Sequence, residues 1–238
     1  MKVVIVLFLI VISLSAKMIS VEELNELSFI KNKSIKVNEI VDLGSIYFVQ
    51  GTNKKRNRTS MISFSMTKDL KYLFLGRSFN TITGEKLYIK KDMSLYTSKA
   101  SFTYGIGKNE YYIFTDPQCP YCNKFEKRLL KLKIQDKVKI HYFLYPLRFH
   151  KNAKSMSMYI LSQKDNSSKL KALHNIIING SKNYKSKVYT KKELVELEKE
   201  LKIIKSITLE VGINGTPTIF TKDGKRVKID DFFKEVIK

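Results

Sequence analysis

Cys119 and Cys122 are the only cysteines in the 238 residues. They lie in the run FTDPQCPYCNKFEKRLL, separated by the dipeptide Pro120-Tyr121. A pair so spaced suits three chemistries: half of a metal site, a structural disulfide, or a reversible redox couple. A tetrahedral structural zinc needs four thiolate or imidazole ligands at short spacing. The three histidines, His141, His150 and His174, are scattered, so no metal is expected. A structural disulfide closing so small a loop would remove little entropy from the unfolded chain, because that effect grows with loop length. The redox couple is left, and it requires no bound cofactor.

The elements around the pair fit that chemistry. Glu110 to Asp116 (EYYIFTD) is aromatic, apolar and β-branched, which predicts a buried strand. From Pro120 onward, Phe125, Leu129 and Leu132 recur at helical spacing among Lys and Glu. The cysteines therefore open a helix, where a proline is tolerated because its missing amide would have had no intrahelical partner. Free amides and the helix dipole stabilise an anion there, so the Cys119 thiol should fall from about 8.5 into the range of roughly 3.5 to 7.5. Cys119 is the expected nucleophile, and Cys122, one turn further in, the resolving thiol. Downstream, in VGINGTPTIFTKDGKRV, Thr218 to Thr221 predict a strand and Asp223-Gly224 a hairpin turn, with Val227 and Ile229 alternating on the return. Pro217 stands where a strand accepts proline, at its first residue.

Strand, CPYC, helix, and a Thr-Pro opening a late hairpin resemble the thioredoxin fold. FTDPQCPYC, GTPTIF and the upstream KYLFLGRSFNTITGEKL further resemble the periplasmic disulfide isomerases of the DsbC/DsbG family. The resemblance implies an α+β chain: an N-terminal cystatin-like antiparallel sheet domain that dimerises, at 17–90, and a thioredoxin-like catalytic domain at 109–238 with a helical insertion at about 149–208. It also implies that Thr216 and Pro217 form a cis-proline loop holding substrate beside Cys119. The partners implied are misfolded or reduced exported proteins, a second copy of the chain, and a membrane reductase of the DsbD type. Pro120-Tyr121 also occurs in thiol oxidases, so a DsbA-like oxidase served by a DsbB-type oxidant is the alternative enzyme. A dimeric periplasmic chaperone is the non-enzymatic one. The chain departs from the family in having no second cysteine pair, and from thioredoxin in carrying Ile113 where a buried carboxylate stands six residues before the first cysteine. Asp116, in the loop, receives no catalytic role.

The rest of the chain reads as support for this pair. Lys2 precedes an apolar run, Val3 to Leu14, followed by Ser15 and Ala16. That run is too short to span a bilayer, which needs about twenty residues, and fits a signal peptide at 1–16 and a periplasmic destination. Export in turn allows an oxidised pair. The net charge of +22 invites a nucleic-acid reading, which is rejected because lysines are spread along the chain. The one dense run, Lys54-Lys55-Arg56-Asn57-Arg58, reads as a solvated hairpin loop. Ser20 and Glu23 form a capping box for a first helix over 20–31. SIYFVQG, MISFSM, KYLFLGRSF and EKLYIK predict a meander. Residues 91–108 read as a linker, partly helical. Between a strand at about 138–144 and the Thr-Pro hairpin lie three helical stretches, one capped by Thr190 and Glu193. Met156 and Met158 are expected to pack against the fold, and His150 to be a surface or loop residue.

Overall fold

The computed structural model describes residues 18–55 and 58–237. The signal peptide read at 1–16, and Arg56 and Asn57 of the basic run, lie outside the described residues. The chain divides into two compact units, with the boundary between Ser78 and Phe79.

The first unit opens on the expected capping box: Glu23 N donates to Ser20 Oγ (3.1 Å) and Ser20 N to Glu23 carboxylate (2.7 Å). The helix is interrupted, as α1 (Val21–Glu26) and α2 (Ser28–Asn32) flank an extended Leu27. Leu24 and Ile30 are both buried in the same core, yet on one continuous helix they would point about 120° apart. The break at Leu27 lets both face the sheet. That sheet is antiparallel throughout, β1 (Ile35–Asp42), β2 (Ile46–Lys55), β3 (Arg58–Thr67) and β4 (Leu73–Leu75) in sequence order. Its membership differs from the expected meander in two places. β1 was not anticipated, because its polar residues mask the inward pair Ile35 and Val37. EKLYIK joins no sheet, and only an isolated bridge links Lys86 to Phe79 in the second unit. The register shifts between Val37 and Glu39, opposite Gly51. A Cβ on Gly51 would lie 2.3 Å from the Lys36 carbonyl oxygen, so only glycine fits this close approach.

The second unit is built on a five-stranded sheet of order β5-β7-β6-β8-β9. Its strands are β5 (Phe102–Tyr104), β6 (Asn109–Thr115), β7 (Val138–Leu144), β8 (Thr218–Thr221) and β9 (Arg226–Val227). β6 and β7 are parallel and the other pairs antiparallel. A parallel pair needs a crossover, and α3 (Pro120–Leu132), the helix that begins at the cysteines, supplies it. Between β7 and β8 the helical insertion contains α4 (Ala153–Leu161), α5 (Asn166–Ile177) and α6 (Lys191–Glu210), the last opened by the Thr190–Glu193 capping box. Met158 is buried in the core and Met156 packs against it.

Two expectations are corrected in this unit. Residues 91–108 are not a free linker. A 3-10 helix, Met93–Lys99, and then β5 on β7 are pinned by the buried Met93, Tyr96 and Phe102, three apolar anchors hidden in a polar composition. Met93 N donates to Lys222 O (2.8 Å), and a Cβ on Gly224 (φ +79°) would meet Lys91 O at 2.0 Å, so the hairpin turn and this segment fit only with glycine there. Ile229 is not on the returning strand. It starts α7 (Ile229–Ile237), where Ile229, Phe232, Phe233 and Val236 follow helical rather than alternating spacing.

Phe232 and Phe233 are fully buried against Phe125 of the active helix, with ring centroids 5.4 and 5.2 Å away, and Phe232 also meets Tyr111 at 4.8 Å. Phe232→Ala should therefore cost about 3–5 kcal/mol. In urea unfolding the midpoint should drop sharply at constant slope, and a change under 1 kcal/mol would show that α7 does not hold α3 in place.

Candidate active site

The loop between β6 and α3 is organised by Asp116, whose side chain is 0% exposed. Its Oδ1 accepts from Gln118 N (2.7 Å), and its Oδ2 accepts from Leu147 N (2.7 Å) and from His150 Nδ1 (2.8 Å). Its backbone carbonyl accepts from Cys119 N (3.0 Å). Asn152 N donates to Gln118 Oε1 (2.7 Å), so three hydrogen bonds, two on Asp116 and one on Gln118, tie the turn before α3 to the loop that follows β7. His150 does lie in a loop, but it is half-buried on this carboxylate. Asp116 had a local signal, since an aspartate bonding the amide two residues on is an Asx turn. His150 had none, being 34 residues from its partner.

Cys119 is the N-cap residue of α3 (φ −72°, ψ 124°), with Pro120 in the first turn. Both cysteines are free thiols and buried, at 4% and 1% exposure for Cys119 and Cys122. As a thiol, Cys119 donates to the carbonyl oxygen of Thr216, 3.4 Å away and 97 residues on in the chain. The Thr216-Pro217 peptide bond is cis. The fold thus brings Cys119, Cys122 and Thr216-Pro217 together, while Tyr121 points outward, 67% exposed. The Cys122 sulfur accepts from Asp116 N (3.4 Å).

The two thiols are driven apart in acidity. Cys119 is lowered to about 5, chiefly by the Cys122 side chain donating to its sulfur, then by the Cys122 amide, the Thr216 hydroxyl and the Tyr121 amide, with burial opposing. Cys122 is raised well above the ordinary thiol value, first by burial and then by donating to Cys119. The Thr216 hydroxyl is buried and makes no hydrogen bond among the described residues, which leaves it available to the sulfurs beside it. One sulfur is thus ready to attack, and the other keeps its proton until needed.

One turn beyond Cys122, Glu126 is buried beneath the helix. Tyr142 OH donates to its Oε2 (3.1 Å), and His174 Nε2 lies 3.5 Å from the same oxygen. In FEKRLL this glutamate reads as a solvated helix position, and nothing in that run signals its burial. Ile113 belongs to the hydrophobic core.

A strand leading into a reduced, asymmetric Cys-X-X-Cys on a helix N-terminus, opposed by a cis-proline loop, defines a thiol–disulfide oxidoreductase site. Residues 105–230 match the family model described as a thioredoxin-like domain. The chain belongs to that family, as a thioredoxin-like disulfide oxidoreductase with a Cys119–Cys122 pair. Among solved structures it is similar to ScsC of Proteus mirabilis in a compact conformation, at 21% identity and TM-score 0.43, over 63% of this chain and 80% of that one. It is also similar to a periplasmic thioredoxin-like protein from Salmonella enterica serovar Typhimurium, at 17% identity and TM-score 0.42, over 61% of this chain and 92% of that one. A third similar structure is the thiol-disulfide exchange protein alpha-DsbA2 from Wolbachia pipientis, at 16% identity and TM-score 0.41, over the same shares of the two chains. Among curated proteins none matches the chain.

Proposed function

We propose that the chain is an exported protein disulfide isomerase of the DsbC/DsbG type, acting as a homodimer in the periplasm. The observation that carries exchange chemistry is the placement of an acidic Cys119 sulfur against the Thr216 carbonyl, over a Cys122 that stays protonated. Thiolate Cys119 attacks a client disulfide; the client S–S bond breaks, one client sulfur leaves as thiolate, and a mixed disulfide forms. A second client thiolate can then attack the client sulfur of that bond, making a new client disulfide and returning the Cys119 thiolate with no net oxidation. Alternatively Cys122 gives up its proton and attacks Cys119 sulfur. The client leaves as a dithiol, and the Cys119–Cys122 disulfide must be reduced by a donor dithiol, a membrane reductase of the DsbD type. In both exits the Thr216-Pro217 loop would hold the client backbone.

The N-terminal unit supports the isomerase reading and the dimer. It ends on a short edge strand, β4, whose Phe74 and Leu75 are exposed beside exposed Tyr72, and such an edge is completed by pairing with another chain. A second reading, thiol oxidase, is favoured by one observation: a Cys119 thiolate as stable as this favours the reduced protein and so makes the pair more oxidising. Pre-reduced protein without the signal peptide, added in catalytic amounts to a scrambled multi-disulfide substrate without oxidant, should restore native pairing, and Cys119→Ser should not. No recovery, together with rapid oxidation of a reduced substrate by the oxidised protein, would replace the isomerase with the oxidase. Suppressed aggregation by a variant lacking both cysteines, without any exchange by the native protein, would leave only the chaperone.

A further inference from the structure

The loop after β7 does more than hold Asp116. Together with α4 and α6 it lines an open cavity of about 390 Å³ to which His150 contributes. The lining includes the apolar Leu147 and Leu201, and its charged residues are mostly basic. Arg148, Lys151 and Lys202 contribute to them; none of the three lies within ion-pair distance of a carboxylate among the described residues, and Lys202 acts on Glu198 only through its field. The one acidic residue of the lining, Glu198, is taken up by Lys154 at 2.6 Å. Lys205 is half-buried and held in place, its Nζ bonded to Tyr145 OH (3.2 Å) and lying 5.2 Å from that ring's centroid. A general excess of lysine does not by itself make a concave site with apolar residues in its lining, a fixed ammonium group and its only carboxylate already paired.

Resting on the exchange reading above, we propose that this cavity is a client subsite that takes an acidic side chain, Asp or Glu, of the polypeptide whose disulfide Cys119 attacks. The connection to the chemistry is short. His150 lines the cavity and bonds Asp116, and Asp116 accepts the amide of Cys119. A carboxylate seated among Arg148, Lys202 and Lys205 would hold the client chain beside the nucleophile. Phe149, 74% exposed and packed edge-on against the His150 ring, offers an apolar contact next to it. Clients with an acidic residue near the disulfide would then be exchanged faster than their basic counterparts.

The test uses two cyclic disulfide peptides that differ only by Glu or Lys beside one cysteine, and follows their reduction by the pre-reduced protein. The wild type should prefer the Glu peptide by roughly fivefold at low salt, falling as salt rises. The double variant Arg148→Glu, Lys202→Glu should lose or invert that preference. The charge-matched double variant Lys191→Glu, Lys192→Glu, about 15 Å away at the other end of α6, should keep it. Equal loss in both variants would mean that net charge alone attracts acidic peptides, and the subsite would be refuted. Equal rates on both peptides, with phosphatidylglycerol vesicles binding the wild type but not the Arg148/Lys202 variant, would assign the cavity to a membrane surface and overturn the proposal. Reduction of neither peptide by any form would show that the exchange reading itself has failed, and the subsite would fall with it.

Discussion

Iodoacetamide should label Cys119 of the reduced protein along a single ionisation curve with its midpoint at about 5. Relative to an ordinary value of 9.0, that is roughly a ten-thousand-fold gain in acidity, leaving about one part in a hundred protonated at pH 7. Cys122, buried and raised, should stay unlabelled over the same range. The first cause of the low value is the Cys122 side chain, so Cys122→Ala should move the midpoint upward by more than substitution of any other single contributor. A wild-type midpoint between 8 and 9 would remove the basis of the proposed mechanism. The depressed group also links stability to pH with a definite sign. Cys119 ionises more readily in the folded protein than in the unfolded chain, so its contribution is fully present above the unfolded value near 9. It declines as pH falls and is lost through about 5. Cys122 has the opposite shift: its contribution is complete below the unfolded value and declines only above it. The oxidised protein has neither thiol. The stability of the reduced form relative to the oxidised form should therefore shrink steadily from pH 9 to pH 5, as measured by paired urea unfolding. The same difference makes the pair more oxidising relative to an ordinary dithiol as pH rises through that window, because its reduction takes up one proton where an ordinary dithiol takes up two.

The chemistry of this site was legible in the sequence because it is local. A strand pattern, two cysteines, a proline and a helical repeat within one short run were enough to place Cys119 on a helix N-terminus. The Thr-Pro strand start and the Asp-Gly turn located the opposing hairpin. What escaped depends on contacts across the chain. Nothing near His150 points to Asp116, and nothing in FEKRLL separates the buried Glu126 from its exposed neighbours, because a helix pattern marks a polar residue as solvated unless a partner on another element meets it. β1 and the segment around Met93 escaped for a different reason. Each buries two or three apolar residues within a polar stretch, and composition averages them away. α7 is masked by the alternation of Val227 and Ile229, which overlaps the point where Ile229, Phe232, Phe233 and Val236 take up a helical spacing.

Asp116→Ala should cost about 3–5 kcal/mol of stability, in keeping with the loss of one partner from a buried charged network. The substitution leaves the Leu147 and Gln118 amides without their acceptor, and each unsatisfied buried donor costs about 1–3 kcal/mol. His150 loses its partner as well. Asn at this position should recover only part of the loss, because its amide group would face one of these N–H donors with another donor. His150→Ala should be milder, since the carboxylate keeps both backbone bonds. The informative measurement is the Cys119 ionisation midpoint in the Ala variant. The groups that lower Cys119 are Cys122, Thr216 and Tyr121, and the Asp116 side chain is not among them. The midpoint should therefore stay near 5 while unfolding shifts to lower urea, and exchange should slow because the loop carrying Cys119 is then held to the loop after β7 only through Gln118. If the midpoint moved together with the stability, the buried carboxylate would be acting on the thiolate itself, and Asp116 would belong to the chemistry rather than to the frame that holds it.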